Sequence, residues 1–249
     1  MYPSVSLFGI DLSTYLLMAL LGLVAGLFLG EYTRRKIGLS RGGLLRFVLC
    51  CAAGAVIGAK LLYVLVEWDA FLADPLHVLT KGGFVFYGGL LMSFFTGWLW
   101  CRGTHTPYLP VMDIFIPGVT LFHAFGRVGC LLAGCCYGIP TNSRWGIVYP
   151  EGSLAPAGVR LFPAPVYEAV FLLILTAALL ITLKHSRRHG TTFGVYLSAY
   201  ALWRFLIEFY RSDPRGMILG LSTSQFISIF VLLGGLFLLS RRKHDLPAV

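Results

Sequence analysis

The stretch from His123 to Gly138, HAFGRVGCLLAGCCYG, holds the residues best suited to chemistry. It places a histidine, an arginine and three cysteines within or directly after an apolar segment. An arginine near the middle of a bilayer costs about 2.5–3.5 kcal/mol on insertion scales, so Arg127 must face the protein interior or a wet cavity and have a partner. The stretch therefore predicts a functional site. The alternative is a helix-packing segment in which Arg127 only caps neighbouring carbonyls.

Glycines are frequent in the same stretch. Gly126, Gly129, Gly134 and Gly138 leave little side-chain bulk along one run. Such a run allows a second helix or a ligand to approach the backbone closely. The run therefore suits either close packing of another helix or contact with a ligand.

A second group of charges lies in ALWRFLIEFYRSDPRG, where Arg204, Glu208 and Arg211 recur at i, i+4 and i+7. This spacing places the three on one face of a helix. An ion pair between Arg204 and Glu208 is expected, because an unpaired buried cation would be worse. Two arginines to one glutamate still leave positive charge, part of which Asp213 could absorb. With Arg127 added, the excess suits a phosphate, which guanidinium groups grip bidentately.

Four further residues are candidates for proton transfer or substrate contact. His123 lies four residues before Arg127 and could be a general base or a structural hydrogen-bond donor. Glu168 opens a helical segment, where the helix dipole favours a carboxylate in any case. Tyr15 and Tyr87 lie near segment ends and could equally belong to an interfacial aromatic belt.

The cysteines are open to several interpretations. Cys130, Cys135 and Cys136 are spaced C-x4-C-C, which matches no common zinc arrangement, so no metal ion or cofactor is predicted. A disulfide from Cys130 is possible on an oxidising side of a membrane, but spacing alone does not establish it. Packing is the expected role of the thiols. The remaining cysteines are isolated and are expected to fill core space: Cys50, Cys51 and Cys101.

The composition indicates a polytopic membrane protein. The 249 residues are 57% hydrophobic and only 12% charged, against roughly 25% charged in soluble domains. A net charge of +9 would suggest nucleic acid in a soluble protein, but here the basic residues cluster in short loops between apolar runs. No nucleic-acid partner is expected. The first apolar run lacks a basic n-region and a cleavage site, so we interpret it as a retained span of one domain covering 1–249.

The apolar runs predict an all-α fold with seven transmembrane helices. Lys and Arg residues concentrate in the loops after spans one, three, five and seven, which places the N-terminus outside and the C-terminus in the cytoplasm by the positive-inside rule. The segment 137–165 is predicted to be an outer surface loop. The predicted spans are Leu12–Gly30, Leu44–Val66, Phe84–Trp100, Val111–Leu132, Val166–Leu183, Phe193–Tyr210 and Ser224–Leu239.

In this topology the polar residues within or beside the spans share one depth. Arg127 and Arg204 lie near the outer ends of their spans, as does Lys60, while Tyr15 and Tyr87 begin spans that start outside. A shared depth favours a site for an amphipathic substrate that enters from the outer leaflet. A lipid transporter would also place cations inside a bundle, but it would be expected to show repeats or broken helices. An inactive lipid-binding protein is the third alternative.

Several segments in order resemble the prolipoprotein diacylglyceryl transferases of the bacterial inner membrane. The resemblance covers most of the chain. Its segments are Tyr15 in the first span, ADPL at 73–76, GGFVFYGGLL at 82–91, GRVG at 126–129 with Gly138, FPAPVYE at 162–168, WRFLIEFYR at 203–211 and LSTSQ at 221–225.

The resemblance implies a multi-pass inner-membrane enzyme that moves the diacylglyceryl group of phosphatidylglycerol to the cysteine thiol of a prolipoprotein signal peptide. A thioether forms and glycerol phosphate leaves. The candidate catalytic residues for this reaction are Arg127, Arg204, Tyr87, Glu168, Glu208 and His123; of these, Arg127, Glu168, Arg204 and Glu208 match the family pattern. The candidate substrate-binding residues are Tyr15, Arg127, Gly129, Cys130, Gly138, Arg204 and Arg211, all of which except Cys130 match the family pattern. The expected partners are phosphatidylglycerol, prolipoprotein signal peptides and membrane lipids.

The chain departs from the family pattern at a few polar positions. Family members usually carry histidine where this chain has Tyr87, asparagine at Cys130 and Ala133, and glutamate at Cys135; arginine is common at Lys60. The phosphate-handling arginines are kept. Because of these departures, the sequence does not identify the residue that transfers the proton. A divergent member of the family that acts on another acceptor is a further alternative.

Overall fold

The fold is built from α-helices joined by short turns and three small antiparallel hairpins. The computed structural model describes residues 4–7, 10–212, 217–218 and 220–241. The helices in these residues are α1 (Thr14–Thr33), α2 (Arg41–Val66), α3 (Trp68–Ala73), α4 (Pro75–Thr80), α5 (Phe86–Gly103), α6 (Tyr108–Ala133), α7 (Ala164–His185), α8 (Thr191–Ile207) and α9 (Thr223–Ser240). The strands pair as β1 (Ser4–Leu7) with β2 (Ile10–Ser13), β3 (Ile147–Val148) with β4 (Arg160–Leu161), and β5 (Met217–Ile218) with β6 (Leu221–Ser222).

Several of the helices are long and apolar enough to cross a membrane. Their outward faces carry exposed apolar side chains such as Val24 and Phe28, which are 66% and 78% exposed and suit contact with lipid acyl chains. This confirms an all-helical, multi-pass membrane protein; seven spans and the orientation of the termini stay predictions. Among the described residues, five helical segments are candidate spans: Thr14–Ile37, Arg41–Val66, Tyr108–Ala133, Ala164–His185 and Thr223–Ser240.

The described chain divides into two compact units. The first contains the described residues within 1–33 and 112–249, and the second is 34–111. The division falls in the first turn of α6. The prediction of one domain over the whole chain stays a prediction.

The second unit is an antiparallel pair of helices, α2 and α5, connected by α3 and α4. The helices approach closely because glycines face each other across the pair: a Cβ on Gly58 would meet the carbonyl of Gly88, and a Cβ on Gly88 would meet that of Gly58. Small residues at such a crossing let two backbones come together in an apolar environment.

In the first unit, α6 is tied to its neighbours by buried polar contacts. Thr33 at the end of α1 donates its hydroxyl to the carbonyl of Ile114, at 2.8 Å. Asp113 accepts the backbone N–H groups of Gly190 and Phe193, at 2.5 and 2.8 Å, where α8 begins. A carboxylate that accepts the free N–H groups at a helix start satisfies them and is favoured by the helix dipole. These contacts hold α8 in place against α6.

The segment after α6, predicted to be a plain surface loop, has a small core of its own. The β3–β4 hairpin packs around the buried side chains of Tyr149, Ala155 and Leu161, with Tyr137 and Ile147 against them. The sequence does not predict this core, because its apolar residues are separated by turn residues and show no periodicity. This core lies against the end of α6, because a Cβ on Gly134 would lie 3.3 Å from the Tyr149 ring.

Candidate active site

The centre of the polar cluster is Glu168, whose side chain is 2% exposed. Arg211 donates its Nη1 to Oε2 of Glu168 at 3.1 Å, and Nε of Arg127 lies 3.3 Å from the same oxygen. Nη1 of Arg204 lies 3.8 Å from the other oxygen, Oε1. One buried carboxylate therefore holds three guanidinium groups from separate parts of the chain.

The sequence predicted that Glu168 lies in the first turn of its helix, but the structure places it in the second turn of α7. The helix begins at Ala164, directly after Pro163, two residues before the predicted start. The helix dipole acts mainly on the first turn, so it does not by itself account for a carboxylate at this position. The ion pairs with the arginines do.

The side chain of Arg204 extends from α8 to a second carboxylate, that of Glu208. Its Nη2 lies 2.8 Å from Oε2 of Glu208, which confirms the predicted i, i+4 pair, and it donates to the hydroxyl of Ser224 at 3.1 Å. Ser224 belongs to the LSTSQ segment, where the side chain of Ser222 caps α9 in a capping box with Gln225. Ser224 is thus a partner of Arg204 that the LSTSQ motif did not reveal by itself.

Arg211 reaches Glu168 by a different route from the one predicted. The sequence placed Arg204, Glu208 and Arg211 on one helical face, but α8 ends at Ile207, a 3-10 turn follows over Glu208–Tyr210, and Arg211 is extended. The α-helix therefore ends one turn before Tyr210, the predicted end of the span. The cause is tertiary, because the backbone of Arg211 pairs with Gly138 in an antiparallel bridge.

Gly138 is a backbone packing position beside the site. Its N–H donates to the carbonyl of Phe162 at 2.9 Å, while the N–H of Ile139 donates to the carbonyl of Tyr210 at 3.0 Å. A Cβ on Gly138 would lie 2.8 Å from the Phe162 carbonyl oxygen and nearer still to that of Tyr210. Only glycine fits there, and the fit sets the position of Arg211. Direct contact of Gly138 with substrate stays a prediction.

Arg127 and His123 lie on α6 and face α8. The hydroxyl of Tyr200 is within hydrogen-bonding reach of Arg127, and the Tyr200 ring meets the His123 ring edge-on at 5.5 Å. Arg127 and Arg204 both act electrostatically on His123. Tyr200 was missed in the sequence, although it lies one helical turn before Arg204 and so on the same face. The general-base role of His123 stays a prediction.

Tyr15 marks where α1 meets the site. It lies in the first turn of α1, as predicted, and a Cβ on Gly129 would lie 3.2 Å from its ring. The half-exposed Tyr15 ring interacts electrostatically with Arg127 and Cys130. Gly129 therefore permits close contact between α1 and α6, and substrate contact by either residue stays a prediction.

The three cysteines after Arg127 form one cluster. Cys130 is buried in the last turn of α6, Cys135 and Cys136 follow the helix, and all three sulfur atoms lie within 4.8 Å of one another. The thiols of Cys130 and Cys135 and the positive charges of Arg211 and Arg127 lower the pKa of Cys136, although burial opposes the shift. The spacing of the cysteines alone did not predict this proximity.

Tyr87 and Lys60 belong to the second unit. Tyr87 lies in the first turn of α5, and its part in catalysis stays a prediction. Nζ of Lys60 donates to the carbonyls of Val78, Gly82 and Gly83, at 3.2, 3.0 and 3.3 Å. Lys60 is thus used to join α2 to the segment between α4 and α5.

Within the described residues, the site combines three guanidinium groups with two carboxylates and so carries excess positive charge. Asp213 and Arg215, which follow Arg211, lie outside the described residues. Three guanidinium groups offer about fifteen N–H donors, whereas two carboxylates accept about eight hydrogen bonds. Arg127 and Arg204, with side chains 16% and 11% exposed, are the members of the trio that open most to their surroundings. The arrangement suits an anion such as a phosphate diester.

Comparison with known proteins gives the same family that the motifs indicated. Residues 3–241 match the family model described as prolipoprotein diacylglyceryl transferase. The chain is 38% identical over 241 residues to a Clostridium perfringens protein named phosphatidylglycerol--prolipoprotein diacylglyceryl transferase 2, with 95% of this chain and 93% of the relative covered. Similarly named proteins of Clostridium tetani and Gloeobacter violaceus are 34% and 32% identical, covering 93% and 94% of this chain and 93% and 91% of their own lengths.

The chain belongs to the prolipoprotein diacylglyceryl transferase family. The match covers both compact units and every segment of the site described above.

Proposed function

We propose that this member of the prolipoprotein diacylglyceryl transferase family moves the diacylglyceryl group of phosphatidylglycerol to the lipobox cysteine of prolipoproteins. The observation that carries the proposal is the pairing of Arg127 and Arg204 with one buried carboxylate, Glu168, at 3.3 and 3.8 Å. Glu168 holds the two guanidinium groups close together, and together they have more N–H donors than its carboxylate can accept. A lipid phosphate is the anion of that size and charge in a membrane.

The reaction forms a carbon–sulfur bond and breaks a carbon–oxygen bond. The thiolate sulfur of the acceptor cysteine attacks the glycerol carbon that carries the phosphate, and the bonding electron pair leaves with the phosphate oxygen of glycerol phosphate. Negative charge grows on that oxygen in the transition state. Arg127 and Arg204 stabilise this charge, and fixed donors in a site of low dielectric do so with little reorganisation.

Glu168 serves as a positioning residue in this scheme. Its two oxygens already hold arginines, so we assign it the task of orienting the guanidinium groups toward the phosphate. Arg211 is the third arginine that contacts Glu168, and it lies in the extended segment that pairs with Gly138. Glu208, His123 and Tyr87 remain the candidates that accept the proton of the acceptor thiol.

We further propose seven spans in the bacterial inner membrane, with the N-terminus outside and the site in the outer half of the bilayer. Two helices, α5 and α8, would join the five long apolar ones. The 17 residues of α8 extend about 25 Å, which crosses most of a hydrocarbon core of roughly 30 Å, and the following 3-10 turn adds to that length.

Cysteine labelling tests the orientation. In a variant without native thiols, Ser153→Cys should react with an impermeant maleimide from outside the cell, whereas Ser186→Cys should react only after the membrane is opened. The reverse pattern would overturn the topology and the depth assigned to the site.

Transfer measured with purified protein tests the function. The protein in detergent, with phosphatidylglycerol and a lipobox peptide, should produce a diacylglyceryl thioether and release glycerol phosphate. Expression should also rescue a bacterium depleted of its own lipoprotein transferase. Phosphatidylglycerol binding without turnover in both assays would reject the enzyme in favour of a lipid-binding protein.

A further inference from the structure

The cysteine cluster is placed by the way α6 ends. After Ala133 the chain reverses at Gly134, which has φ +72°. The N–H of Cys135 then donates to the carbonyl of Cys130 at 3.0 Å, and its thiol lies 3.6 Å from the same oxygen. Cys136 follows with φ +58°. This turn brings thiols five and six residues after Cys130 back to the helix end.

The spacing of the sulfur atoms is close to that of a metal site. Ligand sulfurs around a tetrahedral zinc ion, each about 2.3 Å from the metal, lie roughly 3.8 Å from one another. The three sulfurs here are all within 4.8 Å, so a change of about one ångström in side-chain position would bring them into coordination distance. Among the histidine, cysteine and carboxylate side chains of the described residues, these three cysteines lie close enough together to hold a metal ion.

The charges around the cluster favour a metal thiolate. Three thiols that coordinate a divalent ion release three protons, and the resulting complex carries one negative charge. Arg127 acts electrostatically on Cys130 and Cys136, and Arg211 acts on Cys136. These guanidinium groups would compensate the charge of the complex. The arginines that suit a phosphate therefore also suit an anionic metal thiolate one turn further along.

Packing or a disulfide would use the cluster less completely. A disulfide joins two sulfurs and leaves the third beside it without a role. Packing alone needs no particular geometry, and two of the three thiols are only partly buried. Three converging sulfur atoms with cations nearby match the preference of thiophilic d10 ions for sulfur ligands.

We propose that Cys130, Cys135 and Cys136 bind one thiophilic metal ion such as Zn²⁺. The ion links the last turn of α6, which directly follows the turn that carries Arg127, to the turn that leads into the β3–β4 hairpin. Because this role concerns the helix end, it does not depend on diacylglyceryl transfer by the site.

Cadmium titration of the full-length protein in detergent is the direct test. The protein is reduced with a phosphine, stripped of metal and titrated with Cd²⁺, and the ultraviolet charge-transfer band of cadmium thiolate is recorded. We expect one Cd²⁺ per chain, displacement by Zn²⁺, and a rise in unfolding temperature when either ion is present. Zinc analysis after gel filtration should show one retained ion per chain.

Two matched variants each remove thiols from one part of the chain. Cys50→Ser/Cys51→Ser/Cys101→Ser removes the thiols of the second unit and should leave the cadmium band unchanged. Cys130→Asn/Cys135→Glu introduces the residues usual in the family pattern, so it should fold, and it should lose the band and the metal-dependent rise in unfolding temperature.

The variants also define the opposite results. No stoichiometric band in the reduced native protein, or a band that persists in Cys130→Asn/Cys135→Glu, would overturn the proposal. If that variant fails to fold, Cys136→Ala takes its place: retained cadmium binding in a folded Cys136→Ala protein would equally remove Cys136 from the site.

Discussion

Cations occur inside apolar helices in both units, but they are held in different ways. Lys60 gives its three N–H donors to three backbone carbonyls of its own unit, at 3.0–3.3 Å, and so has no donor left for a ligand. Arg127 and Arg204 instead contact carboxylates, together with Arg211 from the extended segment after α8, and the three guanidinium groups offer more N–H donors than the two carboxylates can accept. A charged residue within a membrane helix therefore indicates a ligand site only when its protein partners do not use all of its hydrogen-bond donors and do not neutralise its charge.

The largest effect is expected for the arginines. Arg127→Ala or Arg204→Ala should lower the rate of diacylglyceryl transfer by about a hundred- to a thousandfold, as when a donor to a developing oxyanion is removed. Lysine at either position should rescue poorly, because an ammonium group cannot form the same fork. Turnover is measured on protein whose folding is verified by circular dichroism. Normal turnover in the Arg204→Ala protein would remove Arg204 from the site.

The carboxylate that gathers the arginines comes next. Glu168→Gln keeps the shape of the side chain but leaves three guanidinium groups without their shared anion, a change that costs about 3–5 kcal/mol when a buried pair is broken. We expect a lower unfolding temperature and strongly reduced transfer. Glu208→Gln is the matched comparison, since Glu208 forms an ion pair with Arg204 whereas Glu168 holds three guanidinium groups, and its loss of stability should be smaller. Equal losses in the two variants would contradict the central position of Glu168.

A smaller effect is expected where the backbone positions Arg211. In Gly138→Ala the added methyl group would press on the carbonyls of Phe162 and Tyr210, and overpacking of this kind costs about 1–3 kcal/mol. The rate of transfer should fall by roughly tenfold, which corresponds to 1.4 kcal/mol. Gly234→Ala is the control, because a Cβ there meets nothing within 4 Å. Equal activity in the two variants would show that Gly138 does not set the position of Arg211.

The smallest effect on transfer is expected for Lys60. Lys60→Met removes the donor from three carbonyls and should lower stability by about 1–3 kcal/mol, while the rate per folded molecule changes little. Thermal unfolding in detergent and turnover of the same sample separate the two effects, and Lys60→Arg should restore stability. A Lys60→Met protein of native stability that has lost transfer would place Lys60 in the substrate site and would end the contrast between the two units.

The all-helical membrane class, the family and the candidate residues could be predicted from the amino-acid sequence. Long apolar runs, a pair of charges at i and i+4, and several motifs in order are local features, so no tertiary information is needed to see them. Arg204 and Glu208 form their pair as expected. Arg127 was predicted to have a partner because an unpartnered arginine in a bilayer is costly, and it pairs with Glu168.

Only the tertiary structure decided which partner each charge has. Glu168 and Arg211 are 43 residues apart in the chain and meet because Gly138 pairs with Arg211 and ends α8 early, and no periodicity in the sequence encodes such a bridge. The convergence of Cys130, Cys135 and Cys136 depends likewise on positive φ angles at Gly134 and Cys136, which spacing does not reveal. Local patterns determine which side chains lie on one helix, whereas long-range backbone contacts determine which helices and turns share a site.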